Sequence, residues 1–173
     1  VYATLYDPRD PVMSTMASDS HHAPIDQAPL DSRADILRFV SEPMLEALTV
    51  VGQVELVLWA STDGPDTDWT AKLIDVHPDG KAINVSSGIM RASYRFGYER
   101  PVLVEPGQPT QYRIKLSPVG HGFMPGHRLR LDVSSSDFPN HDRNHNTGRP
   151  FWQDADMRPA EQTVFHRPLN PIR

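Results

Sequence analysis

No cysteine occurs among the 173 residues. Disulfides, thiolate catalysis and cysteine-based zinc sites are thereby excluded. No run of basic residues occurs either: the 17 Lys and Arg are scattered against 22 Asp and Glu, for a formal net charge of −5. Neither a nucleic-acid groove nor an anionic-membrane patch is expected from that balance. No uncharged apolar run approaches the length that spans a bilayer. Val1 follows no basic segment leading into an apolar stretch, so no signal peptide is read and the expected compartment is the cytoplasm. Lacking an initiator Met, the chain reads as a processed or excised piece of something longer.

Helical signal is missing as well. No window holds an apolar i, i+3, i+4, i+7 stripe free of breakers, and 17 prolines fall every few residues over most of the chain. Proline in a helix interior costs about 3 kcal/mol, so the chain is expected to be nearly all β. A length of 173 residues suffices for one domain with a tail and for a sizeable core.

Residues 1–34 show no usable periodicity and hold Pro8, Pro11, Pro24, Pro29 and the His21-His22 pair; they are expected to form an extended arm or linker. The domain proper is expected over 35–173. Strands are read at Asp35 to Val40, at Thr49 to Ser61 with a bulge at Gly52, and at Asp68 to His77. Pro78-Asp79-Gly80 turns the last of these back onto Lys81 to Val85. Further strands are read at Ile89 to Phe96, around Tyr112, Ile114 and Leu116, at Arg128 to Val133, and at Gln162 to His166. Pro118 to Gly126 reads as a connection. Val57 and Trp59 add a second apolar face to Val54, Leu56, Leu58 and Ala60, so this strand is expected to be covered on both sides. About eight short strands punctuated by turns point to an antiparallel two-sheet β-sandwich, a jelly roll of the galactose-binding-domain-like kind.

The most individual stretch runs from His127 to Trp152. It opens as a strand in which Leu129, Leu131 and Val133 alternate with Arg128, Arg130 and Asp132, which predicts one buried and one wet face. It continues as a polar run, Ser134-Ser135-Ser136-Asp137-Phe138-Pro139-Asn140-His141-Asp142-Arg143-Asn144-His145-Asn146-Thr147-Gly148. Ser, Asp and Asn bond backbone groups locally, so the run is expected to be an ordered loop held by its own hydrogen bonds, with Asp142 pairing with Arg143.

A serine hydrolase commonly carries Gly-x-Ser-x-Gly, because the nucleophile must project from a strained elbow. None of the ten glycines is followed two residues later by serine, and no catalytic residue is read in the chain. His141-Asp142-x-x-His145 imitates a zinc motif that works only on a helix, and Pro139, Asn144 and Gly148 oppose one. Asp63, Asp66 and Asp68 carry the oxygens that calcium takes, although an Asp-Gly-Pro-Asp turn explains them equally. No metal and no cofactor is therefore expected. Trp59, Trp69, Trp152 and Phe138 leave a free-standing glycan-binding module as the alternative reading, an independent metal-dependent enzyme being a third.

Several motifs, in order, bear a family resemblance. Ser134-Ser135-Ser136-Asp137-Phe138-Pro139 followed by Asp142-Arg143-Asn144-x-Asn146-Thr147-Gly148 resembles the C-terminal jelly-roll domain of the X-prolyl dipeptidyl peptidase and cocaine esterase family of serine hydrolases. Pro65-Asp66-Thr67-Asp68-Trp69-Thr70-Ala71-Lys72-Leu73 and Asp75-Val76-His77-Pro78-Asp79-Gly80 are similar to its central hairpin. Gly88 to Arg95, Pro125 to Leu131, and Tyr6-Asp7-Pro8-x-Asp10-Pro11-Val12 agree too. The sequence departs from the family in having no glycine between Val12 and Pro24, and in placing His141 where an aromatic or aliphatic residue is common. The resemblance implies a non-catalytic domain packed on an α/β-hydrolase domain of the same polypeptide, which would carry the catalytic Ser, Asp and His for ester, amide or X-Pro dipeptide hydrolysis. It also directs attention to Asp137, Phe138, Asp142, Arg143, Asn144, Trp152 and Trp59 as interface or loop residues. Neither nucleic acid nor membrane is implied as a partner, and a homo-oligomer is left open.

Overall fold

The computed structural model describes residues 1–14 and 25–165. His21-His22, Pro24 and His166 lie outside them. Ten strands are described: β1 (Tyr2–Tyr6), β2 (Leu37–Val40), β3 (Leu48–Gly52), β4 (Glu55–Thr62), β5 (Asp68–Val76), β6 (Ala82–Arg91), β7 (Thr110–Lys115), β8 (Val119–Phe123), β9 (Arg128–Ser134) and β10 (Ala160–Val164). Short 3-10 turns occur at Ala28–Leu30, Ala92–Tyr94 and Phe151–Gln153. One sheet has the order β1-β10-β4-β7, the other β2-β9-β5-β6, and β3 pairs with β8 as a separate ribbon. These strand pairs are all antiparallel. The fold is a β-sandwich, as the turn spacing predicts.

Alternation fills its interior. Leu58 and Ala60 of β4, Trp69, Ala71 and Leu73 of β5, Tyr112 and Ile114 of β7, Phe123 of β8 and Val133 of β9 form one buried cluster. The Trp69 and Tyr112 rings lie 5.8 Å apart at an interplanar angle of 44°. Burying each large apolar side chain contributes about 1.5–3 kcal/mol, which makes this cluster the main stabilising element.

Several sequence expectations need correction. The stretch from Thr49 to Ser61 is two strands: Gly52 adopts φ +117 and ends β3, and β4 starts at Glu55 in a different sheet. Lys81 to Val85 and Ile89 to Phe96 are joined, because β6 continues through Ser86-Ser87-Gly88 as far as Arg91. The Gly- and Pro-rich connection contains β8, whose Gly120 and Gly122 give no apolar alternation. Tyr2–Tyr6 pairs with β10, although nothing in its periodicity marks it as a strand. On β4, Val57 is 44% exposed and Trp59 half-buried, so the outer face is not closed by the described residues.

The supposedly wet face of β9 is also buried: Arg130 is 4% and Asp132 6% exposed. Residues 25–33 cross that face. Asp31 pairs with Arg130 at 2.7 Å, and Lys72 Nζ donates to Gln27 Oε1 at 3.2 Å. Arg130 and Asp132 satisfy each other through two bonds of 2.7 and 2.8 Å, which is what lets a charged strand face be buried.

At one margin the sheets meet directly. Ser117 N donates to Ser87 O at 2.9 Å, and Ser86 Oγ donates to Ser117 O at 2.6 Å. Gly88 sits in this seam, where a Cβ would overlap the Lys115 carbonyl, whereas one at Gly120 would meet nothing. Gly88→Ala is expected to lower stability by about 2 kcal/mol or more, through forced separation of packed backbones. Denaturant unfolding should show a lower midpoint at unchanged slope, with Gly120→Ala close to the parent.

Candidate functional site

The polar loop after β9 is ordered by partners drawn from three directions. From the N-terminal segment, Val12 N donates to Ser136 Oγ at 2.8 Å, Phe138 N to Val12 O at 2.9 Å and Ser14 N to Phe138 O at 2.6 Å. From β5, Lys72 pairs with buried Asp137 at 2.8 Å, and Asn140 Nδ2 donates to the same carboxylate at 3.1 Å. The peptide Phe138-Pro139 is cis. Arg143 lies 5.1 Å above the Phe138 ring, and its Nη1 donates to Pro8 O at 3.2 Å. It does not pair with Asp142: among the described residues Asp142 makes no ion pair and is exposed. The loop is pinned instead by groups the sequence places far away.

The third direction is the start of β5. Asn144 Nδ2 donates to Asp68 Oδ1 at 2.9 Å and to Asp66 Oδ2 at 3.1 Å. Its own Oδ1 accepts from Asn146 N at 2.9 Å. Asn146 is fully buried at φ 60, a left-handed conformation that asparagine tolerates better than most residues. Asp68 also receives a two-pronged contact from Arg91, at 2.8 and 3.0 Å, and Asp66 accepts from Ser93 N at 2.8 Å and Ser93 Oγ at 3.0 Å. Tyr6 closes the network, its hydroxyl donating to Asn144 O at 3.3 Å. Burial pushes the Tyr6 phenol upward, and nearby Asp68 adds to this.

These contacts settle the use of several candidate side chains. Asp63, Asp66 and Asp68 each hold protein donors, Asp63 through Arg158 at 2.8 and 2.9 Å. His141 is exposed and the 141–145 segment is not helical, so His141 and His145 do not share a helix face. The Ser93 hydroxyl is buried and donates to the Asp66 carboxylate at 3.0 Å. Arg91, Ser93 and Tyr6 were not singled out from sequence; a buried Asp-x-Asp calls for donors, but nothing local says which residues supply them.

Beside this network a small pocket of about 100 Å³ is lined by Asp66, Arg91, Tyr94, Leu103, Asn144 and Trp152, among others. Its rim carries exposed Trp152 (69%) and Leu103 beside exposed Arg149, and just outside it the Tyr98 ring lies 6.1 Å from that of Tyr94. Asp137, Phe138, Arg143, Asn144 and Trp152 thus belong to one end of the sandwich. Trp59 does not, since it lies on the outer face of the β1-β10-β4-β7 sheet with Val57.

Residues 3–171 match the X-Pro dipeptidyl-peptidase C-terminal non-catalytic domain. The chain belongs to that family. Over 173 aligned residues it is 42% identical to cocaine esterase from Rhodococcus sp. (strain MB1 Bresler), covering 96% of this chain and 30% of the esterase. Among solved structures it superimposes on an aminopeptidase from a marine sediment archaeon, Thaumarchaeota archaeon, with TM-score 0.87 and 35% identity, over 95% of this chain and 30% of that one. An α-amino acid ester hydrolase matches with TM-score 0.87 and 34% identity, over the same shares. The chain therefore spans about a third of the length of these relatives.

Two predictions follow from the network. Asn144→Ala removes donors from two buried carboxylates and is expected to cost about 2–4 kcal/mol in equilibrium unfolding, whereas Asp142→Ala should stay within about 0.5 kcal/mol. The second concerns pH. Burial, with Asp68 adding to it, holds the Asp66 carboxyl above the ordinary range, and Arg158 holds that of Asp63 below it. Between its unfolded and raised folded values, Asp66 binds more proton when folded, so its contribution falls as pH rises through that window. The Asp63 contribution is present above its unfolded value and is lost as pH falls through the depressed folded one. Carboxyl-carbon NMR titration should place the two midpoints on opposite sides of about 3.9.

Proposed function

We propose that this chain is the accessory β-sandwich of a serine hydrolase, packed against an α/β-hydrolase domain whose Ser, Asp and His hydrolyse esters, amides or X-Pro peptides. Its part is to stabilise that domain and to wall the substrate cleft. The observation that carries this reading is the pair of exposed apolar side chains, Leu103 and Trp152, at the mouth of this pocket beside a loop fixed by buried charge pairs. Exposed apolar groups gathered at one end of a small domain mark a surface that another surface covers. A loop already ordered by Asp137–Lys72 and by Asn144 loses little further entropy on docking, which favours a permanent interface. Names of relatives support the same assignment: cocaine esterase, an aminopeptidase and an α-amino acid ester hydrolase all act by acyl transfer to water. Trp59, with Val57 and Leu5 on the outer sheet face, supplies a second apolar surface for a neighbouring domain. The exposed aromatics also favour a second reading, a carbohydrate-binding module, which retention on a polysaccharide column would support.

The purified chain is expected to hydrolyse neither p-nitrophenyl esters nor X-Pro anilides, and to take up no serine-reactive phosphonate. Turnover blocked by the phosphonate would sink the division of labour. In an enzyme that carries this chain with its hydrolase domain, Trp152→Ser should lower Tm by several degrees while kcat stays within about threefold, because the lost apolar contact is structural.

A further inference from the structure

At the end of β5 remote from Asp68 lies a second buried carboxylate with a different set of neighbours. Asp75 is 2% exposed and meets three imidazoles. His127 Nδ1 is 2.8 Å from Oδ1, His121 Nε2 is 2.9 Å from Oδ2, and His77 Nε2 is 3.6 Å from Oδ2. Buried Asp68, Asp132 and Asp137 each pair with an arginine or a lysine. Among the described residues Asp75 pairs with neither; its ion-pair partners are all histidines. The His77 and His127 rings stack at 4.3 Å with 33° between their planes.

We propose that Asp75, His77 and His127 bind a divalent transition-metal ion of the Zn2+ type, with His121 holding the carboxylate from its other side. Imidazole plus carboxylate is the donor set that zinc and its neighbours take, and calcium or magnesium would want more oxygen. The three ligand atoms all lie within 4.8 Å of one another. His127 approaches Oδ1 at 2.8 Å and His77 approaches Oδ2 at 3.6 Å, so the carboxylate would turn to present one oxygen to the ion, whose tetrahedral edge is about 3.4 Å for bonds of 2.0–2.1 Å. An ion would take the Nδ1 lone pair of His127 in place of the contact with Asp75, the neutral ring then carrying its proton on Nε2. His77 is half-buried, so the site is reachable from solvent.

The backbone already holds the ligands in place. His77 begins a turn in which Gly80 N donates to His77 O at 3.0 Å, and His77 N donates to Lys81 O at 2.8 Å. His127 N donates to Met124 O at 3.0 Å, following Gly126 in a left-handed conformation. His121 belongs to β8 and hydrogen-bonds Asp75, a partner that fixes ligand orientation from outside the metal's own shell. A bound ion would join the β5–β6 turn to the start of β9 and, through His121, to the β3–β8 ribbon. None of this depends on the hydrolase assignment.

The test is a titration of chelator-stripped chain with Zn2+ by calorimetry and with Co2+ by absorption at pH 7.5. One equivalent of Zn2+ should bind and raise Tm by several degrees at saturation, and Co2+ added to the stripped chain should give an intense tetrahedral d–d band that Zn2+ then abolishes. His77→Gln should weaken Zn2+ at least tenfold and remove the band, while His145→Gln and the double change His21→Gln, His22→Gln leave both unchanged. If a variant fails to fold, imidazole NMR of the parent decides: Zn2+ must move the His77 and His127 resonances and spare those of His141 and His145. No uptake, a weak octahedral Co2+ spectrum, or binding indifferent to His77→Gln would overturn the proposal.

Discussion

A charge taken out of water must find a partner, and strand β5 takes three. Asp68, Lys72 and Asp75 are all buried along a strand flanked by β9 and β6. An unpaired buried ion costs several kcal/mol, comparable with much of the net stability of a small domain. Each charge therefore dictates the course of some other segment. Asp68 draws in Arg91 and Asn144, and with Asn144 the whole loop after β9. Lys72 draws Asp137 from the same loop and Gln27 from the N-terminal side. Asp75 gathers His121 and His127 from the far end. Apolar burial supplies the larger free energy, but it is indifferent to which loop goes where; the carboxylates and the ammonium are not.

This explains what could be read from the sequence. The strands with a plain period of two, β5, β7 and β9, were legible, as were the antiparallel sandwich and the order of family motifs from Tyr6 to Gly148. Strand β8 was hidden by Gly120 and Gly122, which leave no side chain to alternate. The junction of β3 and β4 was hidden because a glycine in a strand reads equally as a bulge or as a stop, and only sheet membership separates the two. Strand β1 was hidden because an edge strand of five residues carries almost no periodicity.

The loop shows the same division between local and distant causes. Its order was predictable, since Ser, Asp and Asn bond nearby backbone. Its partners were not. The adjacent pair Asp142 and Arg143 invited a local ion pair, yet Arg143 turns to Pro8 and the Phe138 ring. The face of β9 assigned to water is covered by residues 25–33, a segment whose composition suggested only an arm. Where charged residues alternate with apolar ones, solvent is the default reading for the charged face, and a second charge brought from elsewhere in the chain overturns it.

The pairing of β1 with β10 sets how the sandwich would bear load. Tyr2 lies opposite Val164 and Tyr6 opposite Ala160, so the two strands run in opposite senses and their outer ends sit together. Force drawing those ends apart would fall on one rung of the ladder at a time, opening it like a zipper. A neighbouring domain that tugged there would meet a compliant edge, while the β4–β7 and β5–β9 ladders behind it kept the core closed.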